Sequence, residues 1–173
     1  YKLKNGKKLW SFQSGKRIIG TPAVSEGIVV FGSADRNIYG LNAENGQLLW
    51  KVVAREPVIG AVTIDNGLAY VGASDHTFRA IDIHTGKVVW SYDKVKGYIE
   101  TKPLITDNKV IFGAWDNTLY ALDKNDGKEI WKWTGGLTRM HFSPAAVWPV
   151  AAEGKVFIAD PQRALTAIDI HNG

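Results

Sequence analysis

The chain has 173 residues, 45% of them hydrophobic and 22% charged, which is the composition of a folded domain with a real core and excludes intrinsic disorder. No apolar run approaches the roughly 18 residues of a membrane span, and the opening "YKLKNGKKLW" lacks the hydrophobic segment of a secretion signal, so any export signal is expected to have been removed or to lie outside this chain. With no cysteine there is no disulfide, thiolate metal site or cysteine nucleophile to propose. The net charge of +4 comes from 21 Lys and Arg against 17 Asp and Glu, many of them in the recurring turns and the strands after these and mixed in sign (Lys7, Lys8, Lys51, Lys87, Lys128, Lys132), which a solvated rim explains better than a nucleic-acid groove.

The first segment, "NGKKLWSF", reads as a turn and the outermost strand of a sheet whose other strands are missing; residues 1–17 are assigned to it. Four strands follow. "IIGTPAV" (18–24) has the small residues and proline of an innermost strand in a narrow space, "GIVVFGS" (27–33) is a buried second strand, "NIYGLNA" (37–43) the third and "QLLWKVV" (47–53) the outermost. The same four recur at 58–93 and 98–134, through "YVGASD", "FRAIDI", "VIFGAWD" and "LYALDK". In the last copy "KVFIAD" and "LTAIDI" are the second and third strands. The units are therefore 18–57, 58–97, 98–138 and 139–173, the last lacking its outer strand.

The repeat is strict. Trp10, Trp50, Trp90 and Trp131 are spaced 40, 40 and 41 residues apart, and Gly6, Gly46, Gly86 and Gly127 keep the same rhythm. An all-strand period of about 40–45 residues is the length of a β-propeller blade, whereas helical repeats would need stretches with 3.6-residue periodicity that this chain lacks. The fold class is thus all-β, a propeller of four-stranded antiparallel blades. Asn42, Asp82, Asp123 and Asp169 lie four residues before each turn glycine, where a short side chain can accept turn N–H groups. Each Trp is then expected to lie across a neighbouring blade with its indole N–H on backbone.

The phrase "LYALDKNDGKEIW" (119–131) resembles the pyrroloquinoline-quinone-like (PQQ-like) repeat with its tryptophan-docking motif. That family builds eight-bladed quinoprotein dehydrogenases and also cofactor-free propellers such as the lipoprotein subunit of the outer-membrane β-barrel assembly machinery, to which this chain is closer in character. The resemblance implies an extracytoplasmic location (periplasm, cell envelope or secreted) and blades angled for about eight per ring. Four of them are about half of a larger propeller, the remaining blades coming from missing sequence or a second copy. A dehydrogenase of the family would hold PQQ with calcium, a catalytic Asp and a pair of adjacent cysteines, and the cysteines are absent here.

Function in a propeller gathers on the loops near the axis. The loops after the second strands put Asp35, Asp75 and Asp116 in register, with Gln162 in the fourth copy; they read either as a carboxylate ring for a cation or basic partner or as local turn caps. The loops into the inner strands hold Arg17, Arg55, Lys96 and Tyr98. The last such loop is about five residues longer than the period and holds Arg139, Met140, His141, Phe142 and Trp148. Together they predict a basic, aromatic mouth for a protein partner or small ligand, with Trp115 and Trp148 able either to stack on a planar ligand or to pack locally. His84 and His171 occupy one turn position in two copies, and His76 and His141 have no paired ligand. With no phosphate loop, Ser-His-Asp elbow or HExxH pattern, no catalytic residue is proposed. Three readings stay open: a non-catalytic binding or scaffold propeller, part of a quinoprotein dehydrogenase, or a propeller attached to a separate catalytic or sensory domain.

Overall fold

A computed structural model describes residues 4–135, 147–159 and 164–173. The strands are β1 (Ala23–Ser25), β2 (Ile28–Gly32), β3 (Asn37–Asn42), β4 (Leu48–Val53), β5 (Thr63–Asp65), β6 (Leu68–Gly72), β7 (Phe78–Asp82) and β8 (Val88–Tyr92) in the first two repeats. They are followed by β9 (Leu104–Ile105), β10 (Lys109–Ala114), β11 (Thr118–Asp123), β12 (Glu129–Thr134), β13 (Val150–Ala152), β14 (Lys155–Ala159) and β15 (Leu165–Asp169). They form three four-stranded antiparallel meanders, β1–β4, β5–β8 and β9–β12, and a three-stranded one, β13–β15. These are the blades of a propeller. Among the described residues no strand of the first blade pairs with the fourth, so the arrangement is open.

Both faces of the second and third blades are apolar, because each is sandwiched between two others. One face of the first blade (Val30, Ile38, Trp50) meets Val58, Val71 and Ile81 of the second. The second presents Tyr70, Phe78 and Trp90 to Ile99, Phe112 and Leu122 of the third, with the Phe78 and Phe112 rings stacked at 4.0 Å. The third presents Ile111, Leu119 and Trp131 to Val156, Ile158 and Ile168. The two end faces have no such neighbour. Phe31, Tyr39 and Leu41 of the first blade are covered by Trp10 and Phe12, while Leu165 on the fourth is 74% exposed, although its repeat equivalent Ile38 is fully buried.

Two expectations are corrected. The inner strands are only two or three residues long, and 18–22 is not strand. Proline stands directly before the inner strand in three copies (Pro22, Pro103, Pro149) and has no N–H for a ladder. In the second copy Val62 stands there, and its N–H donates to the Thr21 carbonyl of the preceding blade (3.1 Å). Residues 4–17 also contain no strand, since among the described residues no strand is there to pair with them; Trp10 is accordingly half-buried, whereas Trp50, Trp90 and Trp131 are buried.

Candidate functional site

At the outer rim the repeated residues form one device four times over. The indole N–H groups of Trp10, Trp50, Trp90 and Trp131 donate to the carbonyls of Ala43 (3.0 Å), Ile83 (2.6 Å), Lys124 (3.1 Å) and Ile170 (3.0 Å), each in the next blade's outer turn. Those turns are closed by Asn42, Asp82, Asp123 and Asp169. Each side chain accepts the N–H two residues on (2.9, 3.0, 2.8 and 2.7 Å), and each backbone carbonyl accepts from the glycine N–H at Gly46, Gly86, Gly127 and Gly173. The ring lies flat on that glycine: a Cβ on Gly86 would sit 2.8 Å from Trp50, and one on Gly127 2.5 Å from Trp90. Within their own blades Trp50, Trp90 and Trp131 face a small residue, in the pairs Gly40↔Trp50, Ala80↔Trp90 and Ala121↔Trp131, with a register shift just beyond.

Asp35, Asp75 and Asp116 form a second repeated node, in the loops between second and third strands. Each accepts a backbone N–H from the loop entering its own blade: Gly15 to Asp35 (2.7 Å), Arg55 to Asp75 (3.1 Å) and Lys96 to Asp116 (2.9 Å). Each also accepts the N–H two residues on, from Asn37, Thr77 and Thr118. A side chain four residues on completes the node: the hydroxyls of Tyr39 (2.7 Å) and Tyr120 (2.6 Å), and in the second blade the Arg79 guanidinium, bidentate on Asp75. Burial alone would raise the Asp35 carboxyl. Hydrogen bonds from Tyr39, Asn37 and Gly15 outweigh it and hold the group below its ordinary value, while burial and then Asp35 push Tyr39 up to about 12. Burial likewise opposes ionisation of Asp75, and Arg79 with the Arg55 N–H reverses the sign. The three carboxylates are spent on turns, and among the described residues no group of three His, Cys, Asp or Glu side chains could hold a metal ion.

The expected mouth is only partly brought together. Arg17, Lys96 and Tyr98 are exposed, Tyr98 with its ring 5.3 Å from His76; the Arg55 guanidinium reaches Thr77 and the Asp75 carbonyl at 3.3 Å. Arg139 and His141, with Met140, Phe142 and Gln162, lie outside the described residues. One step deeper, Trp115 and Trp148 do share a pocket of about 290 Å³ with Ile19, Gly20, Thr21, Ile59, Ala61 and Glu100. The register explains why. Ala23, Thr63, Leu104 and Val150 make the same inner-strand pairing in their four blades. Counting back from them, Ile19, Ile59 and Glu100 occupy one level around the axis and Thr21, Ala61, Lys102 and Trp148 another. Close approach at the axis is forced by glycine, since a Cβ on Gly20 would meet the Gly60 carbonyl oxygen at 2.1 Å.

In this pocket the third blade departs from the other two. Glu100 stands where they have Ile19 and Ile59, Trp115 where they have Ala34 and Ser74, and the two are joined by a 2.9 Å hydrogen bond from the indole N–H to Oε2. Lys102 places its ammonium 5.3 Å from the centroid of the Trp148 ring, which is itself 59% exposed. Glu100 and Lys102 were not singled out by sequence reasoning; aligning the copies on Asp35, Asp75 and Asp116 exposes the substitution of Ile by Glu. The described residues of this pocket do not fit calcium-bound PQQ. The pocket holds one carboxylate where calcium takes six to eight oxygens, and the chain has no cysteines to meet the quinone.

The profile of a family described as outer membrane protein assembly factor BamB matches residues 1–173. The crystal structure of BamB from Moraxella catarrhalis is similar, with a TM-score of 0.78 and 24% identity, over 94% of this chain and 49% of that one, so this chain spans about half of that relative's length. The computationally designed Ika4 protein is similar with a TM-score of 0.77 and 24% identity, over 95% of this chain and 99% of Ika4. Quinohemoprotein alcohol dehydrogenase from Comamonas testosteroni gives 0.61 and 24%, over 69% of this chain and 21% of the enzyme. A comparison with curated protein sequences finds no match. On the strength of the profile and of the repeated geometry that it spans, the chain belongs to the BamB family of PQQ-like-repeat β-propellers.

Proposed function

We propose that the chain is a non-catalytic interaction module of the cell envelope that holds its partner at the axial end of the blades. The observation that supports this is the division of labour between rim and axis. Residues that repeat are committed to holding blades together, and the pocket at Glu100, Trp115 and Trp148 is where the copies diverge and where side chains stay partly exposed. Among the described residues that line it there is no Cys, Ser or His beside Glu100, and the carboxylates of the loop level are bound internally. Further blades of the same repeat, from other sequence or a second copy, would cover the end faces marked by Leu165 and by the Trp10 and Phe12 groove. Among the described residues no helix is long and apolar enough to cross a membrane.

Photo-crosslinking tests the proposal. A crosslinking side chain at Tyr98 or Trp148 is expected to capture a protein partner, and one at the rim positions Lys51 or Lys132 is not. Equal capture from all four positions would contradict it, as would a saturable rise in melting temperature on adding PQQ with calcium, since a ligand stabilises only what it binds.

A further inference from the structure

Resting on that axial reading, we infer that the pocket takes an organic cation, an ammonium or guanidinium group, with the Glu100 carboxylate as counter-charge and Trp115 and Trp148 as aromatic walls. In the first two blades this level is apolar, through Ile19 and Ile59, and Glu100 brings a half-buried carboxylate to it. Among the described residues Glu100 takes part in no ion pair; its hydrogen-bond partner is the neutral indole N–H of Trp115. That bond fixes the carboxylate against the ring without offsetting its charge, and a bound cation does both, meeting the oxygen and the aromatic faces together. The site already shows this chemistry once, since the neighbouring Lys102 ammonium lies over Trp148. A space of about 290 Å³ is small for a drug-sized molecule and suits one side chain.

Two sources supply such a group: a lysine or arginine side chain of a protein partner, or a free small amine. The indole N–H resonances of the full chain separate them in titrations with butylammonium chloride, with a short N-acetylated and C-amidated peptide whose one charged group is an arginine, and with the same blocked peptide holding citrulline. The proposal expects saturable shifts at Trp115 with the arginine peptide or butylammonium and none with citrulline. Glu100→Gln keeps an acceptor for the indole while removing the charge, and it should weaken binding about tenfold or more. A peptide binding at least about tenfold tighter than butylammonium assigns the group to a protein partner, and equal or weaker peptide binding assigns it to a small amine. Absence of any shift, equal response to citrulline, or affinity unchanged in Glu100→Gln overturns the proposal. If crosslinks from Tyr98 and Trp148 persist in that case, the axial reading stands and only the ligand class is lost.

Discussion

The rim and the axial end of the same blades obey different rules. At the rim four tryptophans, four capping carboxyl or amide groups and their glycines adopt one geometry, in which the indole N–H, the cap oxygen and the glycine N–H each bond within the joined turn. At the axis equivalent positions carry Ile, Ile and Glu at one level and Thr, Ala, Lys and Trp at another. Repetition marks what the fold requires, and divergence on a repeated frame marks what the fold leaves free to vary, which is where binding is proposed.

The largest effect is expected at the rim. Trp90→Ala removes a buried ring and its bond to Lys124 and should cost about 3–5 kcal/mol in denaturant unfolding. A loss below about 1 kcal/mol would mean that the ring does not hold blades together.

The next effect separates two members of the carboxylate node. Asp75→Asn leaves the Arg79 guanidinium buried without its counter-charge and should cost about 3 kcal/mol. The parent's contribution from Asp75 also depends on pH. Its folded carboxyl lies below the unfolded value of about 3.9, so the stabilisation is complete above that pH and is lost as pH falls through the folded value. Urea midpoints measured from pH 5 downward should therefore fall more steeply for the parent than for Asp75→Asn; parallel curves would show that Asp75 is not held ionised. Arg79→Tyr installs the residue of the first and third blades, and its hydroxyl can donate to Asp75 as Tyr39 and Tyr120 do to their partners, so it should change stability by less than about 1 kcal/mol.

Glycine gives a finer comparison at nearly equal backbone angles. Gly86 (φ +71) lies under Trp50, whereas Gly67 (φ +75) has nothing within 4 Å of a built Cβ. Gly67→Ala should cost about 1–2 kcal/mol from the left-handed backbone alone. Gly86→Ala should cost at least about 1 kcal/mol more, because the ring must also move. Equal losses would place the Trp50 ring elsewhere.

Much of this was legible in the sequence because strand, turn glycine and Trp recur at fixed spacing, which fixes strand order and blade size at once. The inner strands were read too long because "IIGTPAV" has strand-forming residues, while Pro22 and the approach to the second blade decide its backbone. The outer strand at 4–17 was legible as sequence but needs a partner strand to exist as a ladder. At the site, Trp115 and Trp148 stood out as tryptophans that the repeat did not explain. Glu100 did not, because a single glutamate in "DKVKGYIE" is noticed only when the register shows that it replaces Ile19 and Ile59. Arg79 was hidden likewise inside a strand whose counterparts in the first and third blades carry tyrosine.

The measurement that tests the rim–axis division most directly is a double variant, Glu100→Ile with Trp115→Ser, which gives the third blade the residues found in the second at Ile59 and Ser74. Its unfolding free energy and its binding of the arginine peptide would be measured together. The account predicts stability within about 1 kcal/mol of the parent and binding weakened about tenfold or more. A loss of about 3 kcal/mol or more with binding intact would contradict it, because the axial residues would then be holding the fold and the ligand would sit elsewhere.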